Sequence, residues 1–255
     1  MLSKNKIKFI QSLNRKKTRE KEGVFLVEGN KLVLEAIASP FRVRLLIGTA
    51  KFFESHQLSS NVADEQIECT SDEIRKASLQ QAPQQAIAVV EMPSPQFSLT
   101  QLNEEFSLAL DFIQDPGNLG TIIRIADWFG IRNLICSTNT ADCFNPKVIQ
   151  SSMGAIFRVQ VHYLDLEKLL IEAKQSQLPV YGTFLEGENI YTSELTPHGI
   201  LILGNEGNGI SPEVEKLVQQ KLHIPSFALG TEGSESLNVA SAASICCSEF
   251  KRRTY

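Results

Sequence analysis

Strands and helices alternate along the second half of the chain, and this alternation constrains the fold more than any other feature of the sequence. Strand patterns such as SLALDFI, NLICS and GILILG are separated by helical patterns such as TIIRIADWF and LEKLLIEAKQ. Parallel strands need a long crossover connection, which a helix usually supplies. The sequence therefore predicts an α/β domain with a parallel sheet and helices on both faces.

Shorter strands and helices alternate before residue 92, so a small N-terminal α/β domain is predicted as well. The segment 92–101, MPSPQFSLTQ, contains two prolines and several polar residues and is predicted to be a linker. The predicted domains are residues 1–94 and 104–255. The predicted elements of the first are a basic helix over 4–18, strands VFLV, RVRLLIG and AIAVV, helices over 31–38 and 50–57, and a helix over 72–79 capped by Ser71.

Charge is unevenly distributed along the chain. The net charge is −4, yet residues 1–51 contain 12 Lys and Arg against 4 Glu. A basic segment in an acidic protein indicates a polyanionic partner such as RNA, although a solvated charged face would give the same pattern. The candidates for phosphate contacts are Lys8, Arg15, Lys16, Lys17 and Arg19.

The cysteines and the N-terminal segment bear on the compartment. None of the five cysteines forms a CxxC pair or stands at metal-ligand spacing from a histidine, so buried thiols are expected rather than disulfides or a metal site. The N-terminal residues lack the apolar core of a signal peptide, and no stretch of about 18 apolar residues exists. We expect a cytoplasmic protein with no membrane span and no bound metal.

Two glycine-containing loops directly follow predicted strands, where open α/β sheets bind ligands. The loop 115–120, DPGNLG, opens a helix that carries Asn118 at its start and Arg124 further along; Arg124 could instead form a surface ion pair with Asp127. The loop 204–209, GNEGNG, is neither a P-loop nor a dinucleotide fingerprint. Its Glu206 is either a functional carboxylate or an acceptor that stabilises the loop itself.

A third segment, from His223 to Phe250, ends in the last predicted helix. Ser236 and Asn238 stand just before this helix, and Ser236 could cap its N-terminus. Small residues over 240–244 permit close packing, either in the core of the domain or against another helix.

Together these motifs resemble the SpoU (TrmH-type) family of the SPOUT methyltransferase superfamily. The matching segments are DPGNLGTIIRIADWFGI, NPKVIQSSMGAIFRV, GNEGNGIS and SESLNVASAASI, in the order of the family. FLVEGNKLVLEA and QQAPQQAIAVV resemble the L30e-like substrate-binding domain that is often fused to it. The loop 226–235, SFALGTEGSE, is longer than is usual in the family.

The resemblance implies an RNA ribose 2′-O-methyltransferase that uses S-adenosylmethionine, forms a homodimer and has a C-terminal deep trefoil knot. Ribosomal RNA is expected as the substrate more than transfer RNA, because of the two-domain layout. The residues implied at the reaction are Arg124, Asn118, Glu206, Ser236 and Asn238. The residues implied in cofactor binding are Leu203, Gly204, Asn205, Gly207, Ile224, Pro225 and Leu237.

Arg124 is expected at the 2′-hydroxyl, either as a base or as a cation that stabilises the developing alkoxide; a guanidinium pKa above about 12 makes it a poor base. Two other functions remain open. A non-catalytic RNA-binding or ribosome assembly factor could keep the same fold, but intact Arg124, Glu206 and Asn238 argue against it. A doubly wound enzyme acting on a small molecule with a nucleotide cofactor is disfavoured by the basic segment and the glycine spacing.

Overall fold

The computed structural model describes residues 2–94, 96–102, 105–228 and 236–253. Most of the long loop 226–235 that was singled out in the sequence therefore lies outside the described residues. The chain divides into two compact units, Met1–Ser94 with Asp142–Arg158, and Pro95–Ala141 with Val159–Tyr255. No helix among the described residues is long and apolar enough to cross a membrane.

Helices and strands alternate through both units. The helices are α1 (Lys4–Ser12), α2 (Lys16–Glu22), α3 (Asn30–Ala38), α4 (Ala50–His56), α5 (Ser71–Ala77), α6 (Pro116–Trp128), α7 (Pro146–Ser152), α8 (Leu166–Gln175), α9 (Pro212–Glu215) and α10 (Val239–Arg252). The strands are β1 (Val24–Glu28), β2 (Val43–Gly48), β3 (Glu65–Glu68), β4 (Ala86–Glu91), β5 (Phe106–Leu110), β6 (Asn133–Ser137), β7 (Gln160–Leu164), β8 (Val180–Asn189), β9 (Gly199–Leu203) and β10 (Gln220–His223). Short 3-10 helices cover Leu99–Leu102 and Ala155–Phe157.

The first unit contains a mixed four-stranded sheet of order β1–β4–β2–β3, in which β4 runs antiparallel to both neighbours. Because side chains alternate between the faces of a strand, Leu26 packs with α1 and α5 while its neighbour Phe25 packs on the opposite face. There the Phe25 ring lies 4.7 Å from that of Phe144 and 6.4 Å from that of Phe157. The segment Asp142–Arg158 thus supplies part of the hydrophobic packing of this unit.

Three features of the first unit differ from the prediction. The basic helix over 4–18 is two helices, because the chain breaks between Ser12 and Lys16. The strand β3 was not predicted. The cap of α5 is Thr70, which forms a capping box with Glu73, so Ser71 is the first residue of the helix rather than its cap.

The second unit contains a six-stranded sheet of order β10–β8–β9–β5–β6–β7, and each neighbouring pair is parallel. Ala109, Ile200 and Ile202 pack against α8 in one core cluster. On the other face, the ring of Phe106 stacks on Phe250 of α10 at 4.3 Å. The prediction of a parallel α/β sheet with helices on both faces is therefore confirmed.

The cysteines are distributed over both units, and each of them is buried as a thiol. Burial raises the pKa of Cys69 to about 11 and that of Cys246 to about 12. The expectation of buried thiols is confirmed for all five, whereas a reactive cysteine is usually exposed.

Candidate active site

The loops that follow β5 and β9 leave the sheet at the same edge. Leu110 is in register with Leu203, and the N–H of Asp111 donates to the carbonyl of Leu203 at 2.9 Å. Parallel strands place their carboxyl ends together, so the segments after β5, β6, β9 and β10 meet at one edge of the sheet. This edge holds the glycine-containing loops that the sequence singled out.

Three segments distant in the chain are joined here by two side-chain hydrogen bonds. The Asn118 Nδ2 donates to Glu206 Oε1 at 2.8 Å, and the Asn238 Nδ2 donates to Asn118 Oδ1 at 3.0 Å. Asn118 lies in the first turn of α6, where Asp115 accepts from its backbone N–H at 2.8 Å and caps the helix. The resulting hydrogen-bonded chain, Asn238–Asn118–Glu206, connects the starts of α6 and α10 with the loop after β9.

Asn238 has a second role at the start of α10. Its Oδ1 accepts from the backbone N–H groups of Ala240 and Ser241 at 2.9 and 3.4 Å. The helix cap is therefore Asn238, and Ser236 is an exposed residue that precedes it. One amide side chain thus caps the helix with its oxygen and holds Asn118 with its nitrogen.

The loop after β9 is held in shape by its own residues. Asn205 and Gly209 exchange two backbone hydrogen bonds of 2.9 Å, which folds the loop back on itself. A Cβ at Gly204 would lie 2.3 Å from backbone atoms of Gly209 and Ile210, so only glycine fits there. Glu206 does not stabilise the loop as an internal acceptor, since its carboxylate accepts from Asn118 of α6 instead.

Asn205 and Asp111 connect this loop to the rest of the edge. The Asn205 Nδ2 donates to the carbonyl of Phe112 at 2.8 Å, and the buried Asp111 accepts from the N–H of Ser211 at 2.7 Å. The sequence analysis missed Asp111, although an acidic residue directly after a buried strand was a usable signal. Asn205 was assigned to the cofactor, whereas the structure also gives its side chain a scaffolding role.

Arg124 stands apart from the hydrogen-bonded chain. It lies six residues after Asn118, about 9 Å further along the helix axis, and its side chain is exposed. It forms no ion pair with Asp127 and no hydrogen bond with any other described residue. Thr121 and Trp128 are exposed on the same side of α6 at spacings of three and four residues. A guanidinium with no partner among the described residues therefore lies exposed on α6.

Apolar side chains in the segments after β10 and before α10 are partly exposed to solvent. Ile224 and Pro225, which follow β10, are half-buried, and the Leu237 side chain is 51% exposed. Leu203, in contrast, is fully buried at the end of β9, so it can support a ligand only from beneath. The exposed residues 206–208 and these apolar side chains are of the kinds that would bind an adenine-containing ligand such as S-adenosylmethionine. Among the described residues, no cluster of His, Cys, Asp and Glu could hold a metal ion.

The predicted phosphate-binding residues fall into two groups. Lys8, Arg15, Lys16 and Lys17 are exposed, and only Lys16 has a described ion-pair partner, Glu20 at 3.8 Å. Arg19 is 1% exposed and is unavailable to a phosphate. Its guanidinium donates to the carbonyls of Leu13 and Asn14 at 2.7 and 3.0 Å and pairs with Asp142. The assignment of Arg19 to RNA is corrected by this burial.

Comparison with known proteins places these features in a family. Residues 105–248 match the SpoU rRNA methylase family, and residues 4–88 match the MRM3-like substrate binding domain. The 23S rRNA (guanosine(2553)-2′-O)-methyltransferase RlmP of Bacillus subtilis is 33% identical over 94% of this chain and 93% of its own length.

Solved structures agree with this assignment. A protein of the TrmH family from Porphyromonas gingivalis is 43% identical, with a TM-score of 0.89 over 99% of both chains. The SpoU methyltransferase AviRb of Streptomyces viridochromogenes, solved in complex with the cofactor AdoMet, is 27% identical, with a TM-score of 0.82 over 99% of this chain and 98% of its own. The fold, the joined motifs and these matches together show that the chain belongs to the SpoU rRNA methylase family.

Proposed function

We propose that this chain transfers a methyl group from S-adenosylmethionine to a ribose 2′-hydroxyl of ribosomal RNA. The observation that carries the proposal is the hydrogen-bonded chain Asn238–Asn118–Glu206, which gathers three motifs of the family at one edge of the sheet. Relatives from Bacillus subtilis and Streptomyces viridochromogenes are named as 23S rRNA 2′-O-methyltransferases, which favours ribosomal over transfer RNA.

The residues at this edge fit S-adenosylmethionine, which when bound supplies a methyl group made electrophilic by its sulfonium. Gly204, Glu206 and Gly207 would hold it through their backbone groups, with Asn205 keeping the loop in shape. Ile224, Pro225 and Leu237 would cover its adenine with apolar surface, and Leu203 would support the loop from the sheet.

Arg124 acts at the 2′-hydroxyl of the RNA. A guanidinium stays charged at neutral pH because its pKa lies above about 12, so it stabilises the developing alkoxide rather than removing the proton. A phosphate oxygen of the RNA or a water molecule takes the proton. Asn118, held by Glu206 and Asn238, and the nearby Ser236 align the ribose for in-line attack, since positioning alone lowers such a barrier by several kcal/mol.

The test is Arg124→Ala in the full chain, with transfer of a labelled methyl group into ribosomal RNA as the measurement. Removing a preorganised charge from the reacting oxygen should slow transfer by a factor of about 100 or more. Affinity for S-adenosylmethionine should stay unchanged, because Arg124 does not belong to the loops proposed to bind it.

The matched control is Arg132→Ala, which removes an exposed arginine of the same unit whose partner is Glu105 at 3.7 Å. It should transfer methyl groups at the normal rate. Near-normal transfer by Arg124→Ala would refute the role of that residue. No transfer by the unaltered protein would favour the alternative of a non-catalytic RNA-binding or assembly factor.

We further infer that the protein works as a homodimer. Trp128 is 85% exposed one turn beyond Arg124 on α6, and large exposed aromatic side chains are enriched at subunit contacts. A second copy over this side of α6 would shield the reacting atoms from water. Sedimentation equilibrium should give twice the mass of the chain, and Trp128→Glu should shift it towards the monomer; a monomeric unaltered protein would contradict the inference.

The family resemblance also suggests a function for each of the two predicted domains. Residues 1–94 serve as the RNA substrate-binding domain and residues 104–255 as the methyltransferase domain, with the C-terminal segment threaded as a trefoil knot. The relatives from Bacillus subtilis and Streptomyces viridochromogenes are bacterial, and we infer from them that this protein acts in the cytoplasm.

A further inference from the structure

A polar cavity lies in the first unit, at the carboxyl end of β1. Its volume is about 480 Å³, within the range of about 300–1,000 Å³ that is usual for ligand pockets. Most such pockets are lined by apolar side chains, whereas here amide and hydroxyl groups predominate. The polar residues of its lining are Asn30, Ser71, Arg75, Gln81, Gln84 and Gln85.

The wall of the cavity is held by hydrogen bonds between the start of α3 and the loop before β4. The N–H of Asn30 donates to Gln84 Oε1 at 2.7 Å, and the N–H of Gln85 donates to Asn30 Oδ1 at 3.0 Å. Gly29, which directly precedes Asn30, has a φ of 102° that disfavours any other residue. A Cβ added at this position would lie 3.2 Å from Gln84 Oε1. These hydrogen bonds fix the shape of the cavity wall.

These bonds leave the amide donors of the wall available. The side-chain oxygens of Asn30 and Gln84 accept hydrogen bonds from backbone N–H groups. Each side-chain NH₂ group therefore points away from the backbone group that its oxygen contacts. Neither NH₂ group donates to a described residue. Gln81 is exposed, also without a described partner. Amide side chains carry both donors and acceptors, as the edges of nucleic-acid bases do, and can pair with them in a bidentate manner.

One cation lines the cavity. Arg75 pairs with Asp72 at 2.9 Å, but both side chains are at least 70% exposed, and such surface pairs are weak. The guanidinium can therefore turn to a phosphate or stack on a base. No described residue of the lining is a carboxylate that would repel a polyanion.

We infer that this cavity holds one unpaired nucleotide of the RNA substrate, with the base on the amide groups and its phosphate beside Arg75. The inference rests on the proposed function, because it takes RNA as the substrate. Residues 4–88, which contain the whole cavity, match a substrate binding domain. Since a paired base has its edge occupied, the cavity selects single-stranded or bulged RNA.

The test is the double variant Arg75→Ala with Gln81→Ala in the full chain, which leaves the hydrogen bonds of Asn30 and Gln84 intact. Binding to an unmodified 23S ribosomal RNA transcript is measured without S-adenosylmethionine. Removing one partner of the base and one positive charge should weaken RNA binding by about tenfold or more. Affinity for S-adenosylmethionine should stay unchanged.

Arg42→Ala is the matched control. Arg42 is an exposed arginine of the same unit, directly before β2 and at the end of that strand away from the cavity, where it pairs with Asp64 at 3.1 Å. This variant should bind RNA within about twofold of the unaltered protein, as expected for an isolated surface change.

Competitor RNAs separate recognition of the base from recognition of the phosphate. Unpaired RNA should compete less well for binding to the double variant than for binding to the unaltered protein. Fully paired RNA should compete equally well for both proteins. Unchanged binding of the transcript, or an equal weakening for the two competitors, would overturn the inference. Because binding is measured without methyl transfer, an unaltered protein that binds RNA at the cavity but never methylates it would count against the proposed function alone.

Discussion

Asn205 shows how one side chain can fix the shape of a ligand loop. Its Oδ1 accepts from the N–H groups of Gly207 and Asn208 at 2.9 and 3.0 Å, while its Nδ2 donates to the neighbouring loop after β5. The family resemblance implied that this asparagine binds the cofactor. Its scaffolding role could not be predicted, because the acceptor at Phe112 lies 93 positions away in the chain.

Gly204 is the most constrained position of the same loop. In Gly204→Ala, the new Cβ would meet backbone atoms of Gly209 and Ile210 at 2.3 Å, and backbone cannot swing aside as a side chain can. We expect the free energy of unfolding to fall by about 1–3 kcal/mol, as for other overpacked sites. Affinity for S-adenosylmethionine should fall with it. Thermal denaturation and calorimetric titration measure the two effects.

Gly207→Ala provides the control for that substitution. The nearest atom to its added Cβ is Asn205 Oδ1 at 3.6 Å, an ordinary contact. Its stability should remain close to that of the unaltered protein. Equal stability of the two alanine variants would show that the loop can relax around Gly204.

The helix α10 is held at both of its ends. Asn238 caps its start, and near its end the buried Glu249 accepts from Arg252 at 2.8 and 3.0 Å and from Arg253 at 2.8 Å. The guanidinium of Arg253 also donates to the carbonyls of Ile190 and Tyr191 at 2.9 and 3.0 Å. The last helix is thereby fastened to the segment after β8.

This cluster makes stability depend on pH. The hydrogen bond from Arg252, with further contributions from Arg253, lowers the pKa of Glu249 below its ordinary value of 4.5. A lowered carboxyl pKa stabilises the fold fully above the ordinary value, and this contribution is lost as the pH falls through the lowered one. Glu249→Gln should therefore melt earlier than the unaltered protein at neutral pH, and the difference should shrink below pH 4.5.

Melting curves across that pH range check the expectation. Glu172→Gln, at an exposed position of α8, should differ little from the unaltered protein at any pH. A deficit of Glu249→Gln that stays constant into the acid range would contradict a role for the charge of Glu249.

The sequence predicted those elements whose burial pattern is strong, and it missed those decided by distant contacts. The helix α8 and the strand β6 have the predicted bounds because their apolar residues recur at the right period. The strand β7 was not predicted, because it is the outermost strand of its sheet and most of its residues are only partly buried. The helix α9 ends at Glu215, because Gln219 and Gln220, which follow it, pair with β8 instead.

The basic N-terminal helix illustrates the same limit. Its residues carry good helix propensity, yet the chain turns at Leu13, where the buried Arg19 guanidinium binds the carbonyls of Leu13 and Asn14. Composition showed that this segment is basic. It could not show that one of its cations is used inside the protein, since the partner Asp142 is 123 positions away.

The positive charge of the first unit should govern the affinity of the protein for RNA. Lys8, Arg15, Lys16 and Lys17 remain exposed and available to phosphates. RNA binding should weaken steeply with salt, because each neutralised phosphate releases counterions. Replacing these four residues by alanine should reduce the slope of log affinity against log salt by about 0.7–0.9 for each phosphate that is no longer neutralised.

Filter binding over a series of salt concentrations measures the slope. Lys168→Ala, which removes an exposed cation from the second unit, should leave the slope unchanged. Affinity that is insensitive to salt would show that the basic segment is a solvated face.

The hydrogen-bonded chain Asn238–Asn118–Glu206 has a consequence for biosynthesis. Its partners are separated by 88 and 120 positions, so the last of them leaves the ribosome long after the first. Contacts of such large sequence separation form late, because a long loop must close first. A nascent or prematurely terminated chain lacking α10 therefore cannot form these hydrogen bonds, and we expect activity only once α10 has been synthesised.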